Sequence, residues 1–439
     1  MPDDAGAKAV AAAARPLPHG AAADEELIAL AAGARCVLLG EASHGSHEFY
    51  GERAAITRRL IEEHGFTAVA AEADWPDAYR VNCYVRGASD DGGAAAALSG
   101  FDRFPRWMWR NADVVEFVHW LRSRNEGAEG RAGFYGLDLY SLYGSIREVV
   151  DYLDRVDPPA AARARERYAC FEHFGGEPQR YGYSAAYGGE SCEGEVVDQL
   201  VELRRRAGEL ADRDGRVPRD AHFYAEQNAR LVRNAERYYR SMFRGRADSW
   251  NLRDEHMGET LMALLDHLDA PGAPAKIVVW AHNSHIGDAR ATEMGRRRGE
   301  LNVGQLAREA LGADAALIGF TTHHGAVTAA SGWEEPAERK GVRDAIDGSF
   351  EDVFHRAGIP AFVLSGDGLA ALDEPRLERA IGVTYRPETE RASHYFECDI
   401  ARQFDAVVHL DETCAVQPLD PDRGWDSVGE APETYPTGV

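Results

Sequence analysis

The chain is 439 residues long, 44% hydrophobic and carries a formal net charge of −24. That length supports a large core, as one big domain with an insertion or two modest ones, and the negative balance argues against a nucleic-acid or anionic-membrane surface, because phosphate binding needs clustered positive potential. No apolar run approaches the ~20 residues that cross a bilayer, the opening Met1-Pro2-Asp3-Asp4 lacks the basic start and apolar stretch of a signal peptide, and Cys36, Cys83, Cys170, Cys192, Cys398 and Cys414 show no CxxC or close pairing, so a cytoplasmic protein with reduced thiols is expected.

Residues 1–23 are rich in Ala and Pro and are expected to form a flexible arm; Asp24 to Leu30 then reads as a short helix with acids in its first turn. The apolar run from Cys36 to Gly40 predicts a buried strand, and Glu41-Ala42-Ser43-His44-Gly45-Ser46-His47 follows at once. The spacing of Ala55, Ile56, Leu60 and Ile61 predicts a helix over 52–64, closed by Gly65, and Thr67 to Glu72 predicts the next strand, with Asp74 and Trp75 just beyond. This strand–helix–strand unit has the length of a right-handed parallel crossover. An aromatic segment containing Trp107 and Trp109 and a helix over 112–124 lead to a third strand that ends at Asp138.

From Ser141 to His267 the pattern changes to amphipathic helices, interrupted by a Gly- and Tyr-rich stretch over 174–195 that reads as a loop able to cover a site. Strands resume at Lys276 to Trp280, Ala315 to Phe320, Ile359 to Leu364 and Phe404 to Leu410. The expectation is an α/β fold: a mostly parallel central sheet in two similar halves (24–140 and 271–419), flanked by helices, with a helical insertion (141–270) over the cleft and a C-terminal tail from residue 420.

In a parallel sheet the carboxyl ends of the strands share one edge, so residues distant in sequence meet there. Glu41, His44, Glu72, Asp74, Asp138, His282, His285 and His323 all fall at such ends. His44-Gly45-Ser46-His47 and His282-Asn283-Ser284-His285 both read H-x-S-H after a strand. Arg53, on the helix after the first motif, is placed to pair with Glu41 or Glu72 or to bind an oxyanion. Arg253 and His256, at i and i+3, either face the cleft or join a structural ion-pair cluster. No G-x-S-x-G elbow, P-loop, H-E-x-x-H or Rossmann fingerprint occurs in its expected context. What remains is a histidine acting on water or a substrate hydroxyl, with an acid fixing its tautomer. Ligation of a divalent ion by His282, His285, His44 and a carboxylate is the rival chemistry.

Gly40-Glu41-Ala42-Ser43-His44-Gly45, Ala71-Glu72-Ala73-Asp74-Trp75, Trp280-Ala281-His282-Asn283-Ser284-His285, Tyr385-Arg386-Pro387 and Ser393-His394-Tyr395-Phe396 together resemble the erythromycin esterase family, over residues 25–418 in consistent order. The resemblance implies hydrolysis of a macrolactone ester by a histidine-activated water without a metal or other cofactor. It places the base on His44, with Glu41, Arg53, Glu72, His282 and His285 in support. Asp74, Trp75, Trp107, Asp138, Arg253, His256 and His323 are then the candidate substrate contacts, for a small-molecule ester or lactone. The Glu-Ala-Ser-His-Gly-Ser-His-Glu version resembles the broad branch of the family whose substrates are unassigned more than the antibiotic-resistance enzymes. Acyl transfer or cyclisation at the same acid–base site is the alternative reaction.

Overall fold

The structure, a computed structural model, describes residues 4–128, 131–214, 218–243, 246–270, 272–421 and 425. Two compact units emerge: one comprises Met1–Ala70, Cys83–Gly133 and Pro274–Val439, the other Ala71–Asn82 and Phe134–Ala273. Eleven strands are present among the described residues: β1 (Arg15–Pro16), β2 (Cys36–Leu39), β3 (Ala68–Asp74), β4 (Gly133–Asp138), β5 (Ile277–Trp280), β6 (Ala315–Ala330), β7 (Ala337–Val342), β8 (Ala361–Ser365), β9 (Arg376–Arg379), β10 (Tyr395–Cys398) and β11 (Ala406–Thr413).

Nine of them form one mixed sheet in the order β1-β8-β11-β6-β2-β5-β3-β4, with β7 beside β6; β9 and β10 pair separately. In the first unit β2 lies between β5 and β6, parallel to both, with Leu39 opposite Trp280 on one side and Ile318 on the other. All four β2 side chains are fully buried. A continuous apolar run is the signature of a parallel strand covered on both faces, which is why Cys36 to Leu39 shows no polar alternation. β11 continues the parallel set along β6, while β8 and β1 close that edge antiparallel.

The strands that precede the two H-x-S-H segments, β2 and β5, are thus immediate neighbours, and the two motifs leave the sheet side by side. The first is held by backbone on every side. Gly40 N–H donates to Ile318 O, Asn283 N–H to Glu41 O, Ile381 N–H to Ala42 O, and both Thr328 N–H and Val416 N–H to Gly45 O. Two glycines make this approach possible. A Cβ on Gly40 would sit 2.0 Å from Asn283 Oδ1, and one on Gly45 would sit 1.9 Å from the Thr328 carbonyl oxygen. The helix His47–Glu63 begins immediately after, with Ser46 as its N-terminal flanking residue.

Several expectations change. Residues 4–23, expected as a loose arm, contain a helix (Asp4–Ala13) and the edge strand β1, because Ala7, Val10, Leu17 and Ala21 are buried and Arg15 forks onto both carboxylate oxygens of Asp24. The Gly- and Tyr-rich stretch is not a bare loop: it carries the helix Pro178–Ala186. Tyr181 there is buried and donates to Glu236 Oε1 at 2.6 Å, and Gly182 packs where a Cβ would meet Tyr239 O at 2.2 Å. Cys170 and Cys192 form a disulfide, correcting the expectation of six free thiols. β6 runs on to Ala330 and pairs with β7, a strand whose sequence, Ala337-Glu338-Arg339-Lys340-Gly341-Val342, reads as solvated polar chain. Of the expected tail, residues 426–439 lie outside the described residues. Among the described residues no helix is long and apolar enough to cross a membrane.

Crowded and open glycines predict opposite outcomes for one substitution type. Gly40→Ala and Gly45→Ala are each expected to cost at least about 1–3 kcal/mol, the usual penalty for overpacking, because the atoms met belong to a doubly hydrogen-bonded amide and to backbone. Gly51→Ala, on an exposed turn of the helix with nothing within 4 Å of the new Cβ, is expected to gain roughly 0.5–1 kcal/mol. Urea unfolding of the three variants checks both signs.

Candidate active site

At the end of β2, His44 Nδ1 lies 2.9 Å from Glu41 Oε1. The other oxygen of Glu41 accepts from Arg53 Nη2 at 2.7 Å. Glu41 and Arg53 are fully buried, and His44 nearly so. A carboxylate only accepts hydrogen bonds, so the ring proton of His44 sits on Nδ1 and its Nε2 carries the lone pair. No hydrogen-bond partner meets Nε2 among the described residues, so it is the nitrogen able to take a proton.

Arg53 is unusual in having a permanent charge with no exposure at all. Its guanidinium lies 4.5 Å from the Tyr50 ring centroid and 5.2 Å from that of Trp280, within cation–π range of both faces. Trp280 is in turn fixed by its Nε1–H donating to Thr57 Oγ1. Nε and Nη1 of Arg53 have no hydrogen-bond partner among the described residues. Of the roles open to Arg53 from sequence, the structure shows the pairing with Glu41, which makes it a positioning residue. Tyr50 adds a second tie, its hydroxyl placed between the carbonyls of His44 and Met108 at 2.8 and 2.9 Å, which couples the Trp107 turn to the His44 backbone.

His282, at the end of the neighbouring strand β5, faces His44 with ring centroids 4.9 Å apart at 50°. Its Nδ1 accepts from the Ser284 backbone N–H at 3.2 Å. The ring proton is therefore on Nε2, which donates to Ile381 O at 3.2 Å. Both nitrogens are engaged by the protein. His285 is buried one turn on, in the short helix Asn283–Ile286, and its N–H donates to His282 O.

In the second unit, Arg253 joins Glu72 and Asp138. Its Nη2 lies 2.6 Å from an oxygen of each, and Nε donates to Asp138 Oδ1 at 3.0 Å. The guanidinium also sits 5.0 Å from the Tyr140 ring centroid. His256, three residues along, is buried, and its Nδ1 accepts from Asn234 Nδ2 at 2.9 Å. Burial pushes its pKa down to about 4, so the ring is neutral near pH 7. Trp75 is a core residue of this unit, stacked on Tyr135 and Tyr224, and Asp74 beside it is half-buried. In the first unit, Trp107 is buried with its Nε1–H unpartnered among the described residues. His323 groups with His324 and His355 instead of with His44 or His282.

Three supports were missed from sequence. Ile381 binds both motifs through its backbone, as above. Asn283 clamps Phe320 through both its amide atoms and reaches Glu378 Oε1 at 3.2 Å. Glu378 is itself fully buried, and burial, followed by the nearby Glu351 carboxyl, pushes its pKa up to about 8. The segment Arg376-Leu377-Glu378-Arg379-Ala380-Ile381 is half charged, with Glu378 and Arg379 adjacent, and nothing in that pattern marks the two as interior.

The fold is a mostly parallel α/β sheet flanked by helices, with a carboxylate-paired histidine at the end of a central strand. The erythromycin esterase family model matches residues 61–413, and the chain belongs to the erythromycin esterase family, a family of ester-hydrolysing enzymes. It is 24% identical over 305 residues to erythromycin esterase type II from Escherichia coli, an alignment covering 66% of this chain and 70% of that one. Its fold is similar to a solved succinoglycan biosynthesis protein (TM-score 0.72, 21% identity, 94% of this chain and 97% of that one). It is also similar to a Bacillus cereus protein (TM-score 0.73, 19% identity, 96% and 100%) and to a mutant of the erythromycin esterase EreC in its open conformation (TM-score 0.66, 19% identity, 90% and 95%).

The buried Glu378 makes stability depend on pH. Unfolded, its carboxyl titrates near the ordinary 4.5; folded, it holds its proton to about 8. The native state then binds more protons between these values, so this group lowers stability as pH rises from 4.5 towards 8. Glu378→Gln is expected to flatten that fall. Urea midpoints of wild type and variant at pH 5, 6.5 and 8 measure it.

Proposed function

We propose that the chain hydrolyses a carboxylic ester or lactone by general-base catalysis at His44. Nε2 of His44 takes a proton from water as the oxygen attacks the acyl carbon. The positive charge that develops on the ring is met by Glu41 across the 2.9 Å contact at Nδ1. Arg53 holds the other oxygen of Glu41 and so fixes the carboxylate in the ring plane it must serve. The same imidazolium then returns its proton to the leaving alkoxide, which balances the reaction with no cofactor. His282, both of whose nitrogens have protein partners, serves as a wall that sets the His44 ring angle. His285, buried in the short helix that follows His282, completes the set as a supporting imidazole.

The observation that carries this reading is the continuous Arg53–Glu41–His44 chain, buried except for 8% of the His44 side chain. The substrate class is a small-molecule ester or lactone. A macrocyclic lactone is one member of that class, suggested by the name of the Escherichia coli relative. A metal-dependent reading of the same histidines has less support. Among the described residues, the groups of three side chains poised to share an ion do not include His44, His282 or His285.

The test is an ester and lactone panel, macrolides included, assayed on chelator-treated protein. Wild type is expected to turn over at least one member to acid and alcohol. His44→Ala should lose about 10²–10⁴-fold in kcat with an unchanged circular dichroism spectrum. Glu41→Gln should lower kcat more than it changes KM, since the imidazolium forms only during reaction. Undiminished turnover in His44→Ala contradicts the assignment.

A further inference from the structure

A second cluster of ligating side chains lies in the first unit, built by three different elements. β6 supplies His323 and His324, the helix Phe350–Arg356 supplies His355, and β11 supplies Asp411. One ligand atom from each of His323, His355 and Asp411 falls within 4.8 Å of the other two; His323, His324 and Asp344 form a second such triple sharing His323. The His323 and His355 rings are nearly parallel, 14° apart with centroids at 3.8 Å. His355 Nδ1 lies 2.8 Å from Asp411 Oδ1.

We propose that His323, His355 and Asp411 bind a divalent ion of the zinc class, at a site separate from the catalytic histidine. Two imidazoles and one carboxylate are the donor set that borderline ions such as Zn²⁺ prefer over Mg²⁺ or Ca²⁺, which favour all-oxygen shells. Bonds of about 2.0–2.2 Å to a tetrahedral ion would separate neighbouring ligand atoms by roughly 3.3–3.6 Å. The observed 2.8 Å contact between His355 and Asp411 therefore has to open slightly, and because an imidazole ligates in its own ring plane, one of the two stacked rings has to turn about its Cβ–Cγ bond for the ion to replace that hydrogen bond.

The frame around the cluster is fixed while one face stays open. The carbonyl of His323 accepts from the buried Arg379 at 2.7 Å, which anchors the strand beneath the ring. Asp411 is backed by the buried His409, whose Nε2 lies 3.5 Å from Oδ1 and whose Nδ1 pairs with Thr321 Oγ1 at 3.0 Å. That Nε2 has no hydrogen-bond partner among the described residues, so His409 flanks the carboxylate without tying it down. His355, with 44% of its side chain exposed, and Asp411, with 22%, give an entry path. Three protein ligands leave a fourth position for water.

Full-length protein, stripped with chelator and dialysed, is titrated with Zn²⁺ by calorimetry and with Co²⁺ by visible absorption. Wild type is expected to take up one tight equivalent and to show the intense absorption of low-coordinate Co²⁺. His355→Ala and Asp411→Asn should each weaken uptake at least about tenfold, while His44→Ala and His324→Ala bind as wild type. Because His355 is half-exposed, its variant tests the site without opening the core, and thermal melts without metal confirm that both variants fold. Absence of a tight equivalent in wild type overturns the proposal, as does wild-type affinity in the His355→Ala/Asp411→Asn double variant. Loss on His324→Ala with retention on His355→Ala also overturns it, by placing the ion in the other triple.

Discussion

The site depends on one buried ion pair. Glu41 and Arg53 have no exposure, and taking both charges out of water costs several kcal/mol each before their mutual attraction is counted. A hydrophobic pair of similar volume would pack there at least as stably, so the pair does not explain the stability of the fold. What it provides is direction: with one carboxylate oxygen held by Arg53, the other meets His44 alone among the described residues. The aromatic faces of Tyr50 and Trp280 on the guanidinium compensate part of the desolvation without competing for Glu41, because a ring face offers no acceptor that would draw the carboxylate away.

Around that pair the backbone is fixed from segments far apart in the chain. The residues after β2 are hydrogen-bonded by the ends of β5 and β6 and by residues 381 and 416, and the two glycines of the motif are where neighbouring atoms come too close for any side chain. The motif is therefore dense in Gly and small residues for a steric reason and dense in Glu and His for a chemical one. Buried polar groups continue outward through Asn283 to Glu378 and Cys398, so the site rests on a hydrogen-bonded interior instead of a purely apolar one. Such interiors are specific when satisfied and costly when broken.

What the sequence made legible follows from local physics. Short apolar runs ending in Gly, in acids or in histidine-bearing turns marked β2 to β6, and His44, its carboxylate partner and the neighbouring His282 stood out because strand ends concentrate chemistry. The helix after the first motif began five residues earlier than its apolar spacing suggested: Phe49 and Tyr50 face inward from its first turn, but His47, Glu48 and Gly51 around them interrupt the apolar pattern. β7 and β9 escaped because edge and accessory strands carry charge, as in Ala337-Glu338-Arg339-Lys340 and Arg376-Leu377-Glu378-Arg379, and pair by tertiary contact that local pattern does not encode. The disulfide between Cys170 and Cys192 was invisible because spacing alone does not specify connectivity. His323 shows the limit of strand-end logic: the same rule that picked out His44 also picked His323, which joins a different cluster.

The central claim is that Glu41 holds the His44 proton on Nδ1 and leaves Nε2 bare. Long-range ¹H–¹⁵N correlation spectra of imidazole-labelled protein near neutral pH, assigned by loss of the signal in His44→Ala, read that tautomer directly. The account predicts a protonated Nδ1 and a pyridine-like Nε2 for His44. A proton on Nε2 with a bare Nδ1 would contradict it.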